Sequence, residues 1–124
     1  MKKICILLCI MLLSSCSKRN EKTGLFVYNE TDPFMQVFAG QIMAEADGKF
    51  PIQLYYAKNS QAIQNEQIEA ELENNPSLLM INPVDRLGSY SIIRTMKEKN
   101  IPVIFFNREP LAEDLGLWDK VYYV

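Results

Sequence analysis

Short, densely apolar runs alternate along this chain with longer stretches in which apolar residues recur at three- and four-residue spacing. The first pattern is that of strands covered on both faces, and the second that of amphipathic helices. Residues 24–28, 52–57, 78–81, 103–106 and 121–124 are the apolar runs. Between them, Asp32 and Pro33 offer an N-cap and a first-turn proline for a helix ending near Gly48, with Phe34, Val37, Phe38, Ile42 and Ala46 as its apolar stripe. Ser60 can cap a second helix over 61–73, with Ile63, Ile68 and Leu72 inward and an outer face of amides and carboxylates. A third helix over 87–99 carries Tyr90, Ile93 and Met96 toward the core and is stopped by Asn100 and Pro102; a short turn or helix lies near 111–115. Strands and helices in this order imply βαβ units, and therefore a parallel sheet with helices on both faces. The expected architecture is an α/β, three-layer αβα fold with a flavodoxin-like strand order 2-1-3-4-5.

The N-terminus follows a different logic. Lys2 and Lys3 precede the apolar stretch 4–13, and Ser14 and Ser15 lead to Cys16. A charged start, a short apolar run and a small-residue zone make a secretory signal, and the run is about half the roughly 20 residues that a membrane-spanning helix needs. The sequence Leu13-Ser14-Ser15-Cys16 resembles the lipobox of bacterial lipoproteins, in which the cysteine is acylated and becomes the new N-terminus. Residues 1–15 are expected to be the signal, Cys16 the lipidated residue, 16–23 a polar tether, and 24–124 a single domain. Cys5 and Cys9 leave with the signal, so no disulfide and no cysteine-held metal is expected in the mature chain. Losing Lys2 and Lys3 leaves 11 basic against 15 acidic side chains, a balance that argues against nucleic acid as a partner.

Ligands of open parallel sheets bind beyond the carboxyl ends of the strands. The segments that follow strands there, 29–34, 58–60, 82–86 and 107–110, hold amides, carboxylates, an aromatic ring and arginines. None has the run of glycines that wraps a phosphate, so no nucleotide cofactor is expected. The chain has no histidine, and no serine or cysteine stands in a nucleophile motif. Asp32 and Glu109 could in principle form an acid–base pair, but carboxylates at loop tips are ordinary solvated groups, and the chain is not expected to be an enzyme. Each of Asp32, Phe34 and Asn107 has a local explanation, as helix cap, first-turn core residue and turn former. Their convergence on one sheet edge gives the set a sugar requires, planar polar partners for hydroxyls and a ring for the C–H face.

Val27-Tyr28, Asp32-Pro33-Phe34-Met35, the run from Gln64 to Ile68, Ile81-Asn82-Pro83-Val84-Asp85, the run from Ile101 to Pro110 and the run from Asp119 to Val124 resemble, in order, the galactose/glucose-binding proteins of bacterial ABC importers. The stretch Phe105-Phe106-Asn107-Arg108-Glu109-Pro110 is the most specific. The resemblance implies a lobe of a two-lobed, type I periplasmic binding protein that closes on a pyranose. It implies that Asp32 and Asn107 bind sugar hydroxyls, that Phe34 covers one sugar face, and that an importer permease, a chemoreceptor and the membrane bearing the lipid anchor are partners. Pro33 departs from the family pattern and should stiffen the loop. The chain is expected to be the N-terminal lobe alone, apparently truncated, with the second aromatic and the family's calcium loop lying beyond it, and hence to bind sugar weakly. A one-lobe signalling module at the membrane surface is the alternative. A flavodoxin-like enzyme is disfavoured by the missing phosphate loop, and a sugar-responsive repressor by the export signal.

Overall fold

The computed structural model describes residues 21–124, so the signal, Cys16 and most of the tether lie outside the described residues. Five strands, β1 (Thr23–Val27), β2 (Ile52–Tyr56), β3 (Leu78–Ile81), β4 (Val103–Phe105) and β5 (Val121–Tyr123), form one sheet. Its order is β2-β1-β3-β4-β5, with every neighbouring pair parallel, as the alternating pattern implied. The connecting helices are α1 (Pro33–Ala46), α2 (Gln61–Leu72), α3 (Ser89–Lys99) and α4 (Ala112–Leu115), with a 3-10 turn, Arg86–Gly88, before α3. β1 starts one residue inside the expected tether, and Ser77 N donates to Lys22 O (3.0 Å), tying the domain's first residues to the approach to β3.

All five residues of central β1 are buried, because the alternate faces of the strand feed two separate cores. Leu25 and Val27 pack with Met35 and Ala39 of α1 and with Phe106. Phe26 packs on the other face with Ile68 and Leu72 of α2 and with Ile92, Ile93 and Met96 of α3. Phe26 and Phe105 are fully buried, and each contributes on the order of 2 kcal/mol of transfer free energy. Close packing also fixes Gly24, where a Cβ would lie 2.7 Å from the Phe26 ring and 2.9 Å from Leu79.

The helices differ from expectation in which way some side chains face. On α1 the inward stripe is Met35, Ala39 and Ala46, with Phe38, Ile42 and Met43 half-buried, whereas Val37 is exposed. The stripe is shifted by one residue because Asp32 caps the helix and Phe34 and Val37 fall on its flank. Tyr90 is likewise exposed at the start of α3, and Ile92 takes the inward position. The largest correction is on α2, whose polar side is not uniformly solvated: Gln64 and Glu71 are fully buried. Each meets a partner far away in the chain. Gln64 Nε2 donates to Asn82 O (2.9 Å), and Glu71 accepts from the Tyr55 hydroxyl (2.6 Å). Glu71 also lies 3.5 Å from Lys22 Nζ.

Candidate functional site

The carboxyl edge of the sheet is closed by Asn82, which follows β3 and is fully buried. Its backbone N donates to Phe26 O (2.8 Å), its Nδ2 donates to Phe106 O (3.2 Å), and its Oδ1 accepts from Tyr28 N (3.3 Å). One residue therefore ties the ends of β1, β3 and β4. Gln64 extends the tie by accepting from Val84 N (3.1 Å), so α2 holds the start of the 83–88 loop. A buried amide can do this because it offers both a donor and an acceptor in one plane.

On this frame, Asp32 occupies the N-cap of α1, its Oδ1 accepting from Phe34 N (2.8 Å) and Met35 N (3.3 Å). Its Oδ2 accepts a short hydrogen bond from the Tyr28 hydroxyl. The Tyr28 bond, helped by the Met35 and Phe34 amides and the nearby Arg108 charge, holds the Asp32 carboxyl below the usual carboxylate range. The same bond raises Tyr28 above the ordinary phenol value. The Arg108 guanidinium lies 3.8 Å over the Tyr28 ring and donates from Nη1 to Val84 O (2.7 Å) and Pro83 O (3.3 Å). This stacked cation joins the loops after β1, β3 and β4.

Phe34 projects from the first turn of α1 and is 63% exposed, so it is not a core residue. It begins a row of stacked rings: Phe34 to Phe38 at 6.1 Å and Phe38 to Phe106 at 5.2 Å. Phe106 immediately precedes Asn107, which has a left-handed backbone (φ 62°) and an N–H that donates to Val124 O (3.2 Å). The left-handed turn lifts the exposed Asn107 side chain out of the strand direction. Asp32 and Phe34 thus share one helix start, and Asn107 joins them through the ring row on one side and neighbouring Arg108 on the other. Glu109 is not paired with Asp32; its carbonyl accepts from Arg86 Nε.

Tyr28 and Arg108 belong to this site, although neither was singled out from the sequence. Their pairing spans most of the domain, and no local spacing announces it. Beside Arg108 an open concavity of about 500 Å³ is lined by Val84, Asp85, Arg86, Leu87 and Leu111. Another, of about 440 Å³, lies at the opposite, amino end of the sheet around Met43, Lys49 and Phe50, away from Asp32, Phe34 and Asn107. Among the described residues, no group of three or more acidic, histidine or cysteine side chains could hold a metal ion.

Known proteins share this architecture. The chain is 35% identical over 107 residues to the D-galactose/methyl-galactoside binding periplasmic protein MglB of Haemophilus influenzae, a match that covers 85% of this chain and 32% of that protein. The structure of the Caulobacter myo-inositol binding protein bound to myo-inositol aligns with a TM-score of 0.74 at 17% identity, over 84% of this chain and 34% of that one. An ABC transporter solute binding protein from Clostridium phytofermentans with bound β-D-glucose aligns with a TM-score of 0.71 at 23% identity, over 82% and 31% respectively. At these identities the two structures establish a common fold. The chain spans about one third of the length of the proteins it matches. The sequence pattern of the periplasmic binding protein domain matches residues 23–124, nearly the whole of the described chain. That family is one of binding proteins, which agrees with the expectation that the chain is not an enzyme, and its periplasmic designation agrees with an exported chain. The parallel sheet, its strand order and the match along its length establish that the chain belongs to the periplasmic binding protein domain family.

Proposed function

We propose that this chain is the N-terminal lobe of the sugar receptor of an ABC importer, exported and held at a membrane surface by a lipid on Cys16. Asp32 and Asn107 bind sugar hydroxyls, and Phe34 packs against a C–H face of the ring. The observation that carries this reading is the exposed Phe34 ring, two residues along the helix start from a fixed carboxylate and at the same sheet edge as Asn107. An aromatic ring exposed on a capped helix start costs solvation without contributing to the core, and pairing with a ligand of mixed polarity offsets that cost. The MglB relative is named for galactose and methyl-galactoside, and the two structural neighbours hold myo-inositol and glucose, all rings of hydroxyls with apolar edges. A galactose- or glucose-type monosaccharide is therefore the favoured ligand. The stable anchor that a lipoprotein acquires from several acyl chains suits a receptor that must stay near its permease.

The site described here covers a ligand from one side only, so water competes for each hydrogen bond and the net worth of each is small. Titrating the isotopically labelled mature chain, residues 16–124, with D-galactose, D-glucose and myo-inositol, followed by amide NMR, tests the reading. Millimolar binding is expected, with shifts concentrated at Asp32, Phe34 and Asn107. Shifts confined to the amino-end concavity, or no saturable shift with any of the sugars, would overturn it.

A further inference from the structure

We infer that the amino end of the sheet is a surface that rests on a lipid leaflet, seated through Phe50 and Lys49 at one sheet edge and Trp118 and Lys120 at the other. The inference rests on the reading above for the lipid on Cys16, and goes beyond it by naming the face that the lipid holds down. All five parallel strands begin at this end. The chain also enters the domain here, since Thr23 opens β1 and its N–H donates to Pro51 O (3.0 Å), just ahead of β2. Only residues 17–22 separate Thr23 from Cys16, a span of at most about 25 Å when fully extended. A lipid on Cys16 therefore keeps the amino end within that distance of the membrane, while Asp32, Phe34 and Asn107 lie at the other end of the sheet.

The amino end is shaped for such a boundary. Helix α1 stops at Ala46, and Gly48, with a left-handed φ of 71°, turns the chain so that Lys49 N and Phe50 N both donate to Ala46 O (2.9 and 3.1 Å). The turn leaves Phe50 43% exposed beside the hollow that Met43, Ala46, Pro51 and Ile52 line. Lys49 pairs with exposed Glu45 (3.4 Å), a contact easily exchanged for a lipid phosphate. At the far edge, just before β5, half-buried Trp118 lies near Lys120, whose Nζ is 5.7 Å from the ring and donates to Asn100 Oδ1 (2.8 Å). An aromatic ring with a lysine beside it suits a membrane interface, the ring at headgroup depth and the ammonium in the water layer. Asp47 and Asp119 adjoin the two pairs in the chain, so the face meets headgroups of both signs. Residues 17–22 add Lys18, Arg19 and Lys22 against Glu21, which favours a leaflet containing anionic lipid. Contacts this small are too weak to recruit a protein from solution. A short tether supplies an effective concentration on the order of millimolar, which keeps a millimolar contact formed about half the time.

Cys16 is the single cysteine of residues 16–124 and Trp118 the single tryptophan, so the native chain carries its own attachment point and reporter. The mature chain is coupled through Cys16 to maleimide-bearing phosphatidylethanolamine in vesicles of phosphatidylcholine and phosphatidylglycerol, with and without a lipid carrying a headgroup nitroxide quencher. Trp118 emission should fall by about half with the quencher, in line with the occupancy above. A tryptophan at the exposed carboxyl-edge position 87, in Leu87→Trp combined with Trp118→Phe, should keep its intensity. Phe50→Ser should return Trp118 to its unquenched intensity; each variant is first shown folded by its amide spectrum. Equal quenching of the two reporters, or stronger quenching at position 87, overturns the inference, as does Trp118 quenching that survives Phe50→Ser. Should Phe50→Ser not fold, Lys49→Glu replaces it with the same two outcomes. Because the coupling supplies the anchor, these results depend neither on acylation in the cell nor on sugar binding. Mass spectrometry of the chain exported by a bacterium decides acylation separately: an unmodified Cys16 overturns the anchor in the reading above, and with it the leaflet as the native occupant of this face.

Discussion

Tyr55 and Glu71 make the same chemical pair as Tyr28 and Asp32, a phenol donating to a carboxylate, in the opposite setting. Tyr55 stacks on Phe26 at 4.8 Å and reaches a fully buried Glu71 between the sheet and α2. Asp32 stands at the open carboxyl edge. The setting changes what moves each phenol. Tyr55 is pushed up to about 12, first by burial and then by Glu71, whereas Tyr28 is raised first by its hydrogen bond. Tyr55, Asn74 and Lys22, all from this chain, converge on Glu71 Oε2, so that oxygen is committed to the fold. Asp32 divides its capacity between a helix start and a tyrosine, on a half-exposed rim. The same pair is mortar in one place and a partly open socket in the other, and solvent access separates the two roles.

The comparison breaks most visibly at the buried pair. Glu71→Ala leaves the Tyr55 hydroxyl and Lys22 without their partner, and should destabilise the chain by about 3 kcal/mol in urea unfolding. A loss below about 1 kcal/mol would mean that the interior pair is no more structural than the exposed one. Alkaline pH acts on the same pair through the proton. Tyr55 ionises near 10 in the unfolded chain and at about 12 in the folded one, so its contribution is intact below pH 10 and is lost as pH rises toward 12. Stability should fall by about 2 kcal/mol across that window, and Tyr55→Phe should flatten the fall. At the open edge the effect on folding should be smallest. Phe34→Ala should change stability by no more than about 0.5 kcal/mol while abolishing the sugar-dependent shifts, because its ring is solvated in the free lobe. A larger stability loss would assign Phe34 to the core after all.

The sheet was legible because its strands are short, mostly apolar runs, and β2, β3 and β4 are each preceded by proline and followed by asparagine within a few residues. Asp32 was legible as a cap because that interaction reaches only two and three residues along the chain. The inward turn of Gln64 and Glu71 was not, because a polar residue that faces a distant partner has the same local spelling as one that faces water. Their partners, Asn82 and Tyr55, lie 18 and 16 residues away. Val37 and Tyr90 were misassigned for the converse reason. An apolar stripe has width, and its flank is set by where the helix is capped and what it packs against, which periodicity does not contain. Arg108 and Tyr28 meet only once the sheet order brings β1 and β4 to either side of β3.

Asn82 carries a consequence for descent. It ties the strand ends through backbone groups and its own amide, without using the side chains of Asn29, Lys58, Asp85 or Asn107. Residues on the rim can therefore be exchanged over generations without unlocking the frame beneath them. A lineage can move from one small polar ring to another by rewriting a few loop positions, while Asn82 itself is far less free to vary.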